Sequence, residues 1–245
     1  MFCRNSLSDS ASRGGSCTIR AGVPLHHTRA SNGGILALRA VIFDYGMVLT
    51  GQPDQEAHAA MVRLTGLPVD RFESLYWTDR HAYDEGKLTG ITFWQNFVRD
   101  AKLTLGQADI EELSRYDARM WTTQCPKMLA WQLELKQRGI LTAILSNMGD
   151  SVLANMQREF DWLPRFDVLV WSFQLHMAKP DPAIYLHTLQ KLGTRADETL
   201  FIDDRQVNID AARDLGMAAI LFSTVERLRQ DLMATGLDAE LPLPA

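Results

Sequence analysis

The apolar and polar positions of the chain fall into two regimes. Val41-Ile42-Phe43 is apolar at consecutive positions and stops at Asp44, the pattern of a short strand buried on both faces. Tyr45-Gly46 then offers a sharp turn, and Thr50-Gly51-Gln52-Pro53 reads as a loop. Residues 54–122 follow helical spacing instead. Helices are expected over Glu56–Leu64, stopped at Gly66 with Pro68 beyond, and from Asp70 as N-cap, with Phe72, Leu75 and Tyr76 on one face. Two more are expected over Thr92–Leu103 and from Ala108 to Trp121.

From Pro126 onward strands and helices alternate. Pro126 suits a first helical position, and Gly139 suits the helix end. Strands are expected at Ile140–Leu145, Phe166–Trp171, Thr199–Ile202 and Ala218–Phe222. Between them lie a helix reaching Glu159, one capped by Asp181 with Pro182 in its first turn, and residues 206–215; residues 224–235 close the series. Such alternation implies parallel pairing with right-handed crossovers. The expected fold class is therefore α/β, a three-layer Rossmann-like parallel sheet formed by residues 39–53 and 124–245. Residues 54–123, inserted directly after the first strand, read as a helical cap domain.

Residues 1–38 differ from both regimes. They are rich in Ser, Gly and Arg, hold one acid (Asp9), and lack hydrophobic periodicity. Such a stretch does not bury enough apolar surface to offset its ordering entropy, so it reads as a disordered extension. Three origins stay open: a start site placed too far upstream, a genuine extension, or a transit peptide. The remaining chain carries 21 basic against 29 acidic residues, which argues against nucleic acid as a partner. No apolar run reaches membrane-spanning length. Of three cysteines, Cys3 and Cys17 lie in the extension and Cys125 alone in the folded part. That excludes a disulfide framework there and fits a reducing compartment, so a cytoplasmic location is expected. The six histidines show no metal-ligand spacing.

Four strand ends or following loops carry polar residues: Asp44, Ser146-Asn147, Lys179 and Asp203-Asp204. In a parallel sheet these ends share one edge and can converge. Three carboxylates brought together repel unless a cation neutralises them, and hard oxygen ligands suit Mg²⁺. Lys179, the Ser146 hydroxyl and backbone N–H groups would hold a phosphate against a carboxylate nucleophile.

In order and content these segments resemble the haloacid dehalogenase-like (HAD) hydrolase superfamily across residues 40–235. The carriers are "VIFDYGMVL", "ILSN", "AKPDPAIY" and "LFIDDRQVNIDAARDLGM". The segment "YDEGKLTGITFWQNF" further resembles the helical-capped subfamily IA, as in glucose-1-phosphate phosphatases and the N-terminal phosphatase domain of soluble epoxide hydrolase. The resemblance implies a Mg²⁺-dependent phosphomonoester hydrolase acting on a small phosphorylated metabolite. Asp44 would be the nucleophile that carries the phosphoryl group. Asp44, the Gly46 carbonyl and Asp204 would bind Mg²⁺, with Asp203 close by or through water. Ser146 and Lys179 would hold the phosphate, with Asn147 in the same loop.

One departure matters. Most phosphatases of this superfamily carry an acid–base Asp two residues after the nucleophile, where this chain has Gly46. Either turnover depends on an easily expelled leaving group, or a substitute acid sits elsewhere, such as on the cap. Tyr76, Trp77, Arg80, His81 and Asp84 are cap residues placed to reach a substrate. Two alternatives stand beside hydrolysis of a phosphomonoester: 2-haloacid dehalogenation, which leaves Asp203-Asp204 unexplained, and a non-catalytic binding scaffold.

Overall fold

The computed structural model describes residues 38–244, so the reading of the N-terminal extension lies outside the described residues except at Leu38. That residue is not part of a loose tail: it is 6% exposed within the core, and its N–H donates to Glu240 Oε2 at 3.2 Å.

Five parallel strands form one sheet: β1 (Ala40–Phe43), β2 (Leu141–Ser146), β3 (Val168–Trp171), β4 (Thr199–Asp203) and β5 (Ala218–Leu221). Their order is β3-β2-β1-β4-β5, with Ile42 opposite Ala143 on one side and Phe201 on the other. Side chains alternate across a strand, so β1 splits its residues between two cores. Val41 and Phe43 pack with Met128, Trp131, Val152, Met156 and Leu228 on one face. Ala40 and Ile42 pack with Ile184, Tyr185, Ile209 and Ala212 on the other. Three layers result. The first face is covered by α6 (Pro126–Gln137), α7 (Asp150–Glu159) and α11 (Val225–Thr235), the second by α9 (Pro182–Leu192) and α10 (Gln206–Asp214).

Between β1 and α6 the chain forms α1 (Gln55–Thr65), α2 (Val69–Thr78), α3 (Arg80–Asp84), α4 (Gly90–Ala101) and α5 (Gln107–Met120). These helices share an apolar cluster of their own, built around Phe72, Tyr76, Tyr83, Phe93, Trp94 and Phe97. The chain leaves and rejoins the sheet as a paired connection: Gly51 N–H donates to Thr123 O at 2.8 Å, and Cys125 N–H to Leu49 O at 2.9 Å.

Several boundaries differ from the sequence reading. Asp70 does not cap α2; the helix begins at Val69 after Pro68, and Asp70 sits in its first turn, where its charge favours the helix dipole. The four-residue helix α8 (Ser172–Leu175) and α3 were not anticipated. β3 starts at Val168 because Leu163–Arg165 forms a single tight turn, while Phe166 stays buried between them. No helix among the described residues is long and apolar enough to cross a membrane.

Candidate active site

The carboxyl edge of the sheet gathers the charged residues. β1 ends at Phe43, and Asp44 N–H continues the ladder to Ile202 O at 2.8 Å, so Asp44 leaves the sheet beside the end of β4. The loop after α8 brings in Lys179, whose ammonium lies 2.9 Å from Asp44 Oδ1 and 2.7 Å from Asp203 Oδ2. All three side chains are buried. Oxygens of Asp44, Asp203 and Asp204 approach within 4.8 Å of one another.

Asp203 is saturated. Its Oδ1 accepts from Arg205 N–H at 2.8 Å and Asn208 Nδ2 at 2.9 Å; its Oδ2 accepts from Lys179 and from Asn208 Nδ2 at 3.0 Å. Asp203 therefore holds Lys179 in place beside the other two carboxylates. Asn147 braces the same loop. Its amide donates to Lys179 O and accepts from Lys179 N–H, both at 2.9 Å. Those two bonds hold the backbone of Lys179 to the end of β2. Ser146 ends β2, buried, and lines the cavity above the carboxylates.

The segment after Asp44 is sharply folded. Tyr45 N–H donates back to Asp44 Oδ1 at 2.6 Å, Met47 sits at φ 61°, and Thr50 Oγ1 accepts from Met47 N–H at 2.9 Å. The Tyr45 hydroxyl donates to Trp121 O at 2.6 Å, fixing this loop to the end of α5. Gly46 has φ −61° and ψ 135°, a backbone open to any residue.

Burial dominates the electrostatics. It pushes the Asp44 carboxyl up; Lys179 pulls it down, and Asp203 and Asp204 push it up again, leaving it at about 7. Asp204, the least buried of the three, is also raised, by burial first and then by Asp203. For Lys179 burial acts downward, but Asp44 and Asp203 outweigh it and the ammonium stays charged. An excess of buried negative charge of this kind fits a hard divalent cation: the donor set is all oxygen, and one buried lysine does not balance it.

Above this edge lies a cavity of about 580 Å³. Its floor is Asp44, Gly46, Ser146, Lys179 and Asp204; its roof includes Trp77, Arg80, His81, Asp84 and Trp121. Tyr76 does not reach it. That side chain is buried in the helical insert and donates to Asp117 Oδ1 at 2.7 Å. Sequence reasoning missed Asn208, although its place one helical turn beyond Asp203-Asp204 would aim it back at the strand end. It also missed Ser172, whose hydroxyl accepts from Met148 N–H at 3.0 Å and donates to Asp84 O.

Comparison with known proteins adds the family. A model described as haloacid dehalogenase-like hydrolase matches residues 38–216. Bifunctional epoxide hydrolase 2 of Rattus norvegicus is 38% identical over 127 residues, 48% of this chain and 23% of that protein. The chain thus matches less than a quarter of the length of that relative. Phosphatase MT3486 of Mycobacterium tuberculosis is 29% identical over 198 residues, covering 76% of this chain and 88% of that one. A HAD family enzyme from Bacteroides thetaiotaomicron, solved with magnesium and inorganic phosphate, shares the fold at TM-score 0.66 and 20% identity. The match covers 76% of this chain and 95% of that one.

Proposed function

Because the chain belongs to the haloacid dehalogenase-like hydrolase family, we propose that it is a Mg²⁺-dependent phosphatase of a small phosphorylated metabolite, such as a sugar phosphate. The observation that carries the reading is Asp44 at the floor of the cavity, 2.9 Å from the Lys179 ammonium and beside Asp203 and Asp204. In this reading residues 54–123 act as a cap over a core of residues 39–53 and 124–245. A cytoplasmic location goes with it, supported by Cys125 being a free thiol among the described residues, as reducing compartments keep thiols.

Asp44 attacks phosphorus, the bond to the leaving oxygen breaks, and Asp44 carries the phosphoryl group until water hydrolyses it. Lys179, held by Asp203, and the Ser146 hydroxyl bind the non-bridging oxygens. Asn208 and Asn147 position them: the first fixes Asp203, the second fixes the backbone of Lys179. Asp44, the Gly46 carbonyl and Asp204 would hold Mg²⁺, with Asp203 close by, bound to Lys179 and Asn208. The ion would neutralise the carboxylates and offset charge on the phosphoryl oxygens.

The test is hydrolysis of a panel of phosphorylated metabolites with Mg²⁺ and with chelator, in wild type and Asp44→Asn. Wild type should turn over only with Mg²⁺, and Asp44→Asn should lose nearly all of it, since an amide does not carry a phosphoryl group. Turnover of a 2-haloacid without metal would replace this reading with dehalogenation. Ligand binding without turnover would replace it with a binding scaffold.

A further inference from the structure

The floor of the cavity lacks a group to protonate a leaving oxygen. Asp44 is the nucleophile, Asp204 faces the metal position, Asp203 is saturated, and Lys179 is paired twice. Position 46 holds no side chain, although there is room for one: a Cβ there would meet only Trp121, at 4.0 Å. The titratable residues left around the cavity are Tyr45, Arg80, His81, Asp84 and Arg205; burial pushes the Tyr45 hydroxyl up, and it is committed to Trp121 O. A guanidinium stays protonated throughout the accessible range. The His81 side chain is 72% exposed at the rim, turned to Glu85 at 3.1 Å.

We propose that Asp84, on the roof of the cavity, is the catalytic acid and base of this site. The assignment rests on the phosphatase reading above. In the first step the Asp84 carboxyl gives its proton to the leaving oxygen as the P–O bond breaks and the bond from Asp44 to phosphorus forms. In the second, the Asp84 carboxylate takes a proton from the water that attacks phosphorus, and the bond to Asp44 breaks. Alcohol and phosphate leave, and both carboxyl groups return to their starting states.

Three features set Asp84 up for this. Its side chain is 16% exposed; Oδ1 accepts from Arg80 Nε at 3.0 Å, and Oδ2 has no donor among the described residues. Arg80 is itself fixed, by Asp117 Oδ1 at 3.1 Å and by the rings of Tyr76 and Tyr83, each 5.3 Å away. One carboxylate oxygen is thus clamped and the other free.

The second feature is the backbone, which is tied to the floor. The Ser172 hydroxyl donates to Asp84 O while receiving Met148 N–H, two residues beyond Ser146. Glu85 O bonds the His176 ring at 3.1 Å. Gly86, at φ 72°, packs so closely on Phe173 that a Cβ would overlap that carbonyl. Asp84 is therefore anchored to the segments that follow β2 and β3, and does not float on a loose helix.

The third is protonation. Burial pushes the Asp84 carboxyl up, Arg80 pulls it down, and Asp117 pushes it up, for a net rise. A raised carboxyl favours the protonated form that acid catalysis needs. The other titratable groups around it are His81 on its own helix and, across the cavity, Asp44, Lys179, Asp204 and Arg205.

The experiment compares kcat/KM for glucose 6-phosphate, glucose 1-phosphate and p-nitrophenyl phosphate in wild type and Asp84→Asn, all with Mg²⁺. A positioned acid contributes about 10²–10⁴-fold. Asp84→Asn should lose that much on the 6-phosphate, less on the 1-phosphate and least on the aryl ester, whose leaving oxygen needs no proton. Its alkaline limb should also vanish from the pH profile of kcat/KM. Gly46→Asp placed in that variant should return activity on the 6-phosphate. An equal loss on all three substrates would make Asp84 structural and overturn the proposal. If Asp84→Asn does not fold, Asp84→Glu decides: a loss graded from the 6-phosphate down to the aryl ester supports the proposal, and an equal loss on all three overturns it. Activity retained in Asp44→Asn would instead sink the phosphatase reading itself, whatever Asp84 does.

Discussion

At the scale of single residues, this site is a contest between burial and charge. Asp44 shows it most clearly: its carboxyl stands at about 7 because desolvation exceeds the attraction of Lys179. A carboxyl raised on folding binds its proton more tightly in the folded state. Stability from that proton is fully present below the unfolded value near 4, and is lost as pH rises towards 7. Asp44→Asn removes the titration. In chelator the variant should be more stable than wild type at pH 8. The advantage should shrink as pH falls from 7 to 4. Urea midpoints of both proteins across that range measure it. A gap that widens towards pH 4 would mean that Lys179, not burial, governs Asp44.

At the scale of elements, the helical insert meets the core through contacts with no room to spare. The start of α7 lies under Tyr83, and a Cβ on Gly149 would overlap that ring. Beside it Gly90 N–H donates to Asp150 Oδ1 at 2.9 Å, and the Ser114 and Ser151 hydroxyls meet at 2.9 Å. Overpacking such a contact costs about 1–3 kcal/mol. Gly149→Ala should therefore lower Tm by roughly 2–12 °C, at about 2–4 °C per kcal/mol for a chain of this size. A melting curve unchanged within a degree would show that Tyr83 moves aside freely. This junction was not legible in the sequence, because nothing in Gly149 or Tyr83 names the other. The strands were legible, since β1 and β4 are unbroken apolar runs stopped by acids and each is buried along its length. The N-cap Asp181 was legible too: its side chain accepts from Ala183 N–H at 2.9 Å, as the Asp-Pro pair at a helix start suggests. Helix α3 was not. Five residues, Arg80–Asp84, are too few to show a period, and Arg80 is buried only because Asp84 and Asp117 pair with it. The bracing partner of Asn147 was not legible either, because Lys179 is 32 residues away.

At the scale of the whole molecule, the carboxylates come together only because the sheet does. Asp44 follows β1, Asp203 ends β4 and Asp204 lies just beyond it, and β1 and β4 are neighbours in the order β3-β2-β1-β4-β5. In the unfolded chain Asp44 and Asp204 are separated by the whole helical insert and by β2 and β3. A cation that needs both has no comparable site there, so its binding energy should appear in full as stability of the folded state. Mg²⁺ at about 100 times its Kd should add roughly 2.7 kcal/mol, which raises Tm by about 5–11 °C. Mg²⁺ also removes the penalty of crowding buried carboxylates, so the gain should be larger at pH 8 than at pH 5, where Asp44 keeps its proton. Asp204→Ala deletes one proposed ligand while leaving Lys179, Asp203 and Asn208 in their hydrogen bonds, and its Tm should respond far less to the ion. Thermal melts of both proteins in chelator, Mg²⁺ and Na⁺ of matched ionic strength make the measurement. The same shift in Na⁺ as in Mg²⁺ would reduce the effect to general screening of a net charge of −5. An undiminished Mg²⁺ shift in Asp204→Ala would place the ion away from the edge where β1 and β4 meet.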